Sequence, residues 1–176
     1  MIKKLSKYIK EYKKSSILAP TFVVLEVVME VVIPILMASI IDVGITINDL
    51  NYILKIGILL VISALMSLTF GILSGKFASK ASAGFAKNLR KGMFYNIQNY
   101  SFENIDKFST SSLVTRLTTD VTNVQMAYQM IIRLLVRAPI MMIFALVMCF
   151  TISIKLSCIF LVAIPVLGLA LYYIII

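Results

Sequence analysis

The chain has no histidine, two cysteines and only eight acidic residues among its 176 residues. Without histidine it lacks the usual general base and the commonest nitrogen ligand for a metal ion. The cysteines, Cys149 and Cys158, stand singly within apolar stretches, where neither a structural disulfide nor a metal site is expected. We therefore expect no catalytic residues and no metal ligands on this chain.

A phosphate-binding loop is also missing. The pattern G-x-x-x-x-G-K-[ST] occurs nowhere in the sequence. That loop holds nucleotide phosphates with its backbone amides and its lysine, so a chain without it is not expected to hydrolyse ATP by itself. We expect no cofactor on this chain.

Apolar residues are what the chain has in abundance. They make up 60% of it, and the mean hydropathy is +0.98. A membrane-spanning helix needs about 20 such residues. The last two apolar blocks are separated only by Lys155, and together they are too long for one span, so we expect a hairpin that turns at 153–155. The sequence therefore predicts an all-α integral membrane protein with four spans, at 17–41, 53–75, 138–154 and 156–176.

The net charge of +9 is concentrated in two places. Six lysines precede the first span, and nine basic residues lie in the polar stretch 76–137. This positive-inside pattern puts the N-terminus and that stretch in the cytosol, and it disfavours nucleic-acid binding. Residues 1–16 fit an amphipathic helix at the membrane interface, although a disordered basic tail stays open. Its apolar side would comprise Ile2, Leu5, Tyr8, Ile9 and Tyr12.

The stretch 76–137 keeps a helical pattern nearly throughout, which predicts a cytosolic helical hairpin with its tip near 105–114. Small residues recur every fourth position through span two and permit close helix packing. They are Ser67, Gly71, Gly75, Ser79 and Ala83. A heptad-type seam follows the tip and needs a partner, either the first arm of the hairpin or a second subunit. It comprises Val114, Leu117, Val121, Val124, Tyr128, Ile131, Leu135 and Ala138.

Five stretches together resemble ABC exporters of the bacterial multidrug-type half-transporter kind. Phe108–Gln125 resembles the first cytosolic loop of these exporters, and Arg133–Pro139 the start of their third span. Met29–Pro34 and Ile41–Gly44 resemble their first span and its outer end, and Ser157–Pro165 their fourth. The resemblance covers essentially the whole chain and follows the family's order.

The resemblance implies an incomplete six-helix transmembrane domain. It also implies ATP and Mg²⁺ on a separate nucleotide-binding domain, a second transmembrane half (homo- or heterodimer), and alternating access that exports lipophilic, multidrug-type compounds from a bacterial plasma membrane. In the family a coupling helix docks on the nucleotide-binding domain. Its counterpart here comprises Thr110, Ser111, Ser112, Leu113 and Val114. Many relatives have glycine where this chain has Ser112, and Ser109–Ser112 also fit a helix cap.

Four charged residues are further candidates. Arg116 and Asp120 are four residues apart and fit either a strut between helices or a solvated surface pair. Glu26 and Glu30 lie near mid-membrane, where an ionisable group usually faces a bundle interior or water. They either line a substrate path that attracts cations or pack on polar partners in other spans.

Two alternatives to an exporter remain from the residues alone. One is a non-transporting four-span sensor or scaffold whose cytosolic hairpin binds a partner, and the other is a non-functional gene fragment. Because the chain stops at Ile176, at the end of span four, we expect it to be part of a longer transmembrane domain. The DNA that follows the Ile176 codon distinguishes these readings.

Overall fold

The computed structural model describes residues 6–99, 109–152 and 154–175, and those residues are helical with short connections and no strand. Single 3₁₀ turns at Ser6–Tyr8 and Lys10–Tyr12 lead into the first helix. Short π-helical segments occupy Ile40–Ile45 and Arg116–Asp120. The α-helices of the described part are α1 (Lys13–Ser39), α2 (Leu50–Gln98), α3 (Thr110–Thr115), α4 (Val121–Ile152) and α5 (Ile154–Ile175).

Four helical stretches are long and apolar enough to cross a membrane: Lys10–Ile45, Leu50–Gln98, Ser111–Thr151 and Ser157–Ile174. The all-α membrane fold with four spans is thus confirmed. Helix α2 has 49 residues, which corresponds to roughly 74 Å at the α-helical rise. A bilayer core is about 30 Å thick, so α2 continues well beyond the membrane, as the sequence pattern predicted.

The described chain divides into two compact units, Met1–Arg137 and Ala138–Ile176. Within the first unit the backbones of α1 and α2 approach closely over much of their length. Ala19, Val23 and Val27 of α1 are fully buried. On α2 the buried residues are nearly all small: Ser63, Ser74, Ala78, Ala81, Ser82, Gly84, Phe85, Ala86 and Leu89. Small side chains allow this close approach.

The buried row on α2 is not the row that the sequence pattern indicated. Ser79 and Ala83 are exposed, and Gly71 and Gly75 are only half-buried. Phe22 of α1 explains part of the difference, because its ring stacks on Phe77 with a centroid distance of 5.5 Å. Ser74 and Ala78, on the same helix as Phe77, are fully buried instead.

The connection between α1 and α2 is made by turn formers. Asn48 adopts a left-handed conformation with φ of 60°. The Asp49 carboxylate then caps α2 by accepting from the backbone N–H groups of Asn51 (3.0 Å) and Tyr52 (3.2 Å). Gly44 is buried there, and a Cβ on it would lie 2.6 Å from Cγ1 of Ile53. A larger residue at position 44 would therefore force Ile53 to shift.

The segment Ser6–Tyr12 packs on α2. The Tyr12 ring lies where a Cβ on Gly84 would be, and the Tyr8 ring lies likewise against Gly92. Between them the Asn88 side-chain amide donates to the backbone oxygen of Tyr8 at 2.9 Å. An interfacial helix over 1–16 stays a prediction, since Ile2 and Leu5 lie outside the described residues.

The N-terminal half of α4 packs on α2 through the middle of the predicted seam only. Val121 is 1% exposed, and Tyr128 stacks on Phe85 with a centroid distance of 4.8 Å. Ile131 and Leu135, farther along the seam, are 53% and 69% exposed. The π-helical segment Arg116–Asp120 shifts the helical phase of Val114 relative to the seam residues from Val121 onward.

The second unit comprises the rest of α4 and α5. Pro139 and Pro165 lie inside these helices, as membrane helices tolerate. Cys149 and Cys158 are both free thiols. Ser153, in the predicted turn between spans three and four, lies outside the described residues, so the hairpin there stays a prediction.

Candidate functional site

Three charged residues of α1 and of the part of α4 before Ala138 meet in one ionic cluster. The Arg137 guanidinium on α4 donates from Nη1 to Oε1 of Glu26 at 2.9 Å. Its Nη2 donates to Oε1 of Glu30 at 2.6 Å. Glu26 and Glu30 are one turn apart on α1, and the planar fork of an arginine is suited to bridging two such carboxylates.

This cluster is largely withdrawn from solvent. The side chains of Glu26, Glu30 and Arg137 are 10%, 26% and 38% exposed. The second oxygens of both carboxylates, Glu26 Oε2 and Glu30 Oε2, are buried and accept no hydrogen bond from the described residues. Gly71 of α2 makes room for the Glu26 carboxylate, since a Cβ at position 71 would lie 3.1 Å from Oε1 of Glu26.

A cavity of about 470 Å³ opens beside the cluster, between α1 and α4. Its apolar walls come from Val23, Met126, Met130 and Leu134. Its polar walls come from Glu26, Gln129, Arg133 and Arg137. Arg133 lies one turn before Arg137 on α4, and no hydrogen-bond acceptor or carboxylate contacts it among the described residues. A cavity of this size falls in the range of small-molecule sites, about 300–1,000 Å³.

Gln129 and Tyr128 attach this part of α4 to its neighbours. The Ser82 hydroxyl on α2 lies 3.3 Å from Oε1 of Gln129 and donates to it. The Tyr128 hydroxyl donates to Ser16 Oγ on α1 at 2.9 Å. These bonds fix the height of α4 beside α1 and α2, and thereby place Arg137 opposite Glu26.

The residues expected to form a coupling helix form the short helix α3. Ser109 caps it, because its Oγ accepts from the backbone N–H of Ser112 at 3.3 Å. Val114 is 59% exposed. The capping predicted for Ser109–Ser112 is therefore present, and it leaves the exposed side of α3 open to a partner. Positions 105–108 of the predicted tip, including Phe108, lie outside the described residues.

Arg116 and Asp120 stand at the two ends of the second π-helical segment, and both are exposed. Arg116 also lines a small cleft of about 120 Å³ between α3 and the end of α2, together with Met93, Asn96, Ile97 and Leu113. The strut role of Arg116 and Asp120 stays a prediction.

A residue that sequence reasoning missed is Arg90 of α2. Its Nε donates to the backbone oxygen of Leu117 at 3.3 Å, and its Nη2 donates to Thr122 Oγ1 at 3.1 Å. The π-helical segment is thus tied directly to α2. No sequence signal marks Arg90 for this contact, whereas the opposite charge of Arg137 makes it one of several possible partners for the glutamates.

The four long apolar helices define a multi-pass membrane protein of the all-α class. The chain belongs to the family described as the ABC transporter transmembrane region, whose family model matches residues 16–175. This confirms the family inferred from the sequence.

Relatives of the chain include a protein of Bacillus subtilis (strain 168) described as the uncharacterized ABC transporter ATP-binding protein YfiB. It is 34% identical over 167 residues, which are 95% of this chain and 29% of the relative. A protein of Mycobacterium tuberculosis (strain ATCC 25618 / H37Rv), also described as an uncharacterized ABC transporter ATP-binding protein, is 27% identical over 171 residues, 97% of this chain and 29% of the relative. The chain thus spans less than a third of the length of these relatives.

Proposed function

We propose that this chain is the membrane permease part of an ATP-driven ABC exporter that moves lipophilic, multidrug-type compounds. ATP and Mg²⁺ act on a nucleotide-binding domain that this chain does not contain, and a second transmembrane half completes the pathway as a homo- or heterodimer. The transport mechanism is alternating access across a bacterial plasma membrane, with the N-terminus in the cytosol. Membership of the family favours this function over a sensor or scaffold.

The observation that carries this proposal is the continuity of α2 from its apolar run to Gln98, with the capped helix α3 beyond it. A rigid helix of this length transmits a displacement at its far end into the membrane. Helix α3 would receive that displacement from the nucleotide-binding domain. Thr110, Ser111, Ser112, Leu113 and Val114 are the proposed docking residues.

Changing Val114 to Asp tests this docking. Val114 is 59% exposed, so the change should leave the fold of the chain intact while placing a charge in an apolar contact. We expect ATP-dependent dye uptake by inverted vesicles that hold the complete transporter to fall by about tenfold or more. Thr119→Asp, at an exposed position one turn farther along, serves as the control. Equal uptake by the two variants would remove the basis for docking at α3.

We propose that Glu26 and Glu30 belong to the substrate path. Glu26 lines the cavity, and Glu30 pairs with Arg137, which also lines it. The sequence left open whether they attract cations or serve as structural partners. Their pairing with Arg137 and the burial of their second oxygens support the structural role.

Substitution of Glu26 by Gln separates these two roles. We expect uptake of a cationic dye and of a neutral dye by inverted vesicles to change by the same factor, because Arg137 already offsets the Glu26 charge. A loss restricted to the cationic dye would show instead that Glu26 attracts cations.

A further inference from the structure

We infer that the cavity between α1 and α4 binds an amphipathic organic anion, a carboxylate or sulfonate with an apolar body, through Arg133. This inference goes beyond the proposed export function, because it concerns binding alone and holds whether or not the bound compound is transported. It also assigns to the cavity a charge preference opposite to the cationic one that the two glutamates suggested in the sequence.

Two polar groups of the cavity, on Arg133 and Gln129, remain open to a ligand. Within the described part of the chain, Arg133 meets no acceptor, and the Gln129 amide nitrogen meets none either, since only the Gln129 oxygen is engaged, by Ser82. The unpaired oxygens of Glu26 and Glu30 are closed off by burial. The groups that remain open to a ligand in the cavity are therefore hydrogen-bond donors, and Arg133 among them is charged and has no carboxylate partner in the described part of the chain.

Glu26 and Glu30 together carry one more charge than Arg137 neutralises. This excess negative charge repels an anion at long range. Arg133 would contact the same anion at hydrogen-bond distance, roughly one helical turn nearer than Arg137 and its carboxylates. Coulomb energy falls with distance, and a hydrogen bond between a guanidinium and an oxyanion is among the stronger polar contacts, so the direct contact prevails.

Part of the apolar wall of the cavity lies outside the bilayer core. A Cβ on Gly75 would lie 3.8 Å from Nη1 of Arg133. Gly75 precedes Lys76, where the apolar run of α2 ends, so Arg133 lies at the membrane boundary. Met126 and Met130 line the cavity on the side of Arg133 away from the apolar run that begins at Ala138. An apolar body can therefore lie outside the bilayer core.

A bilayer lipid fits this cavity less well, because part of the apolar wall lies outside the bilayer core. Its chains extend into the bilayer, away from Met126 and Met130, and of the residues that line the cavity α4 offers them mainly Leu134. Methionine is flexible and polarizable and accommodates apolar bodies of varied shape. The arrangement thus favours a dispersed amphipathic anion over a membrane lipid.

A fluorescence experiment on the chain in phosphatidylcholine liposomes tests this inference. The chain has no tryptophan, so Ile131→Trp, at a position that is 53% exposed and does not line the cavity, supplies a single energy donor. The probes are dansylglycine, an anion, and dansylcadaverine, a cation with the same aromatic body. Saturable energy transfer to dansylglycine alone is expected.

The decisive comparison is between Arg133→Gln and Lys76→Gln, each made in the Ile131→Trp background. Arg133→Gln should weaken dansylglycine binding by roughly tenfold or more, as expected for the loss of a charged hydrogen bond. Lys76→Gln removes one positive charge at a similar height but outside the cavity lining, and should change binding little. Circular dichroism verifies that both variants retain the helical fold.

Three outcomes would overturn the inference. They are equal binding of the two probes, equal weakening by Arg133→Gln and Lys76→Gln, and displacement of dansylglycine when phosphatidylglycerol is added to the liposomes. The last result would identify an anionic lipid headgroup as the occupant of the cavity. None of these readouts uses ATP or transport, so a failure here leaves the proposed export function to be judged separately.

Discussion

Arg137 joins two charged residues of α1 to α4, and its environment gives it a structural role. Its guanidinium bridges Glu26 and Glu30, and no other described cation contacts either carboxylate. Sequence reasoning identified both glutamates as unusual, but it did not identify Arg137 as their partner. These residues lie side by side because of the way in which α1 and α4 pack. A single sequence does not show that packing.

At the residue scale we predict that Arg137→Gln destabilises the chain while Arg133→Gln does not. The first change leaves the buried Glu26 carboxylate and the half-buried Glu30 carboxylate without their cation, at a cost of about 1–3 kcal/mol. The cost stays below that of a fully buried pair because Arg137 is 38% exposed. Thermal unfolding in detergent, followed by circular dichroism, measures the difference. If the two variants unfold at the same temperature, the bridge contributes no net stability.

At the scale of elements, the sequence predicted the helices well and their contact faces poorly. The length of α2, its continuity past the membrane and the cap at Asp49 follow from local pattern and turn chemistry. The buried row on α2 runs through Ser74 and Ala78 beside the Phe22–Phe77 stack, and the seam on α4 is exposed from Ile131 onward. Both departures arise from tertiary packing and backbone geometry that hydrophobic periodicity does not encode.

The docking of the N-terminal segment on α2 gives a prediction about an element. Gly84→Val should displace Tyr12, because the added side chain would occupy the position of its ring. Overpacking of this kind costs about 1–3 kcal/mol, and each 1.4 kcal/mol raises local opening about tenfold. Hydrogen exchange of the backbone amides from Lys7 to Tyr12 measures that opening.

Ala83→Val is the matched control, since Ala83 is the neighbouring residue on α2 and is exposed. It should leave exchange of the N-terminal segment unchanged. Similar exchange in the two variants would mean that the Tyr12 contact does not hold this segment on α2.

At the scale of the whole molecule, the distribution of lysine and arginine predicts the orientation. Nine basic residues in 76–137 and six before the first span favour the cytosol for both segments. In a chain with Cys149 and Cys158 replaced by serine, Asn48→Cys should react with a membrane-impermeant maleimide on intact cells. Thr119→Cys should react only after permeabilisation. The reverse pattern would invert the topology.

The unequal packing of α1, α2 and α4 has a mechanical consequence. The backbones of α1 and α2 lie against each other over many turns with mainly small side chains between them, so the pair bends and tilts as one stiff beam. The described part of α4 before Ala138 joins that beam largely through long side chains, such as Tyr128, Gln129 and Arg137. Rotations within those side chains can absorb small displacements. A displacement at the far end of α2 is therefore shared closely by α1, whereas side-chain rotations can absorb part of it before it reaches the described part of α4 before Ala138.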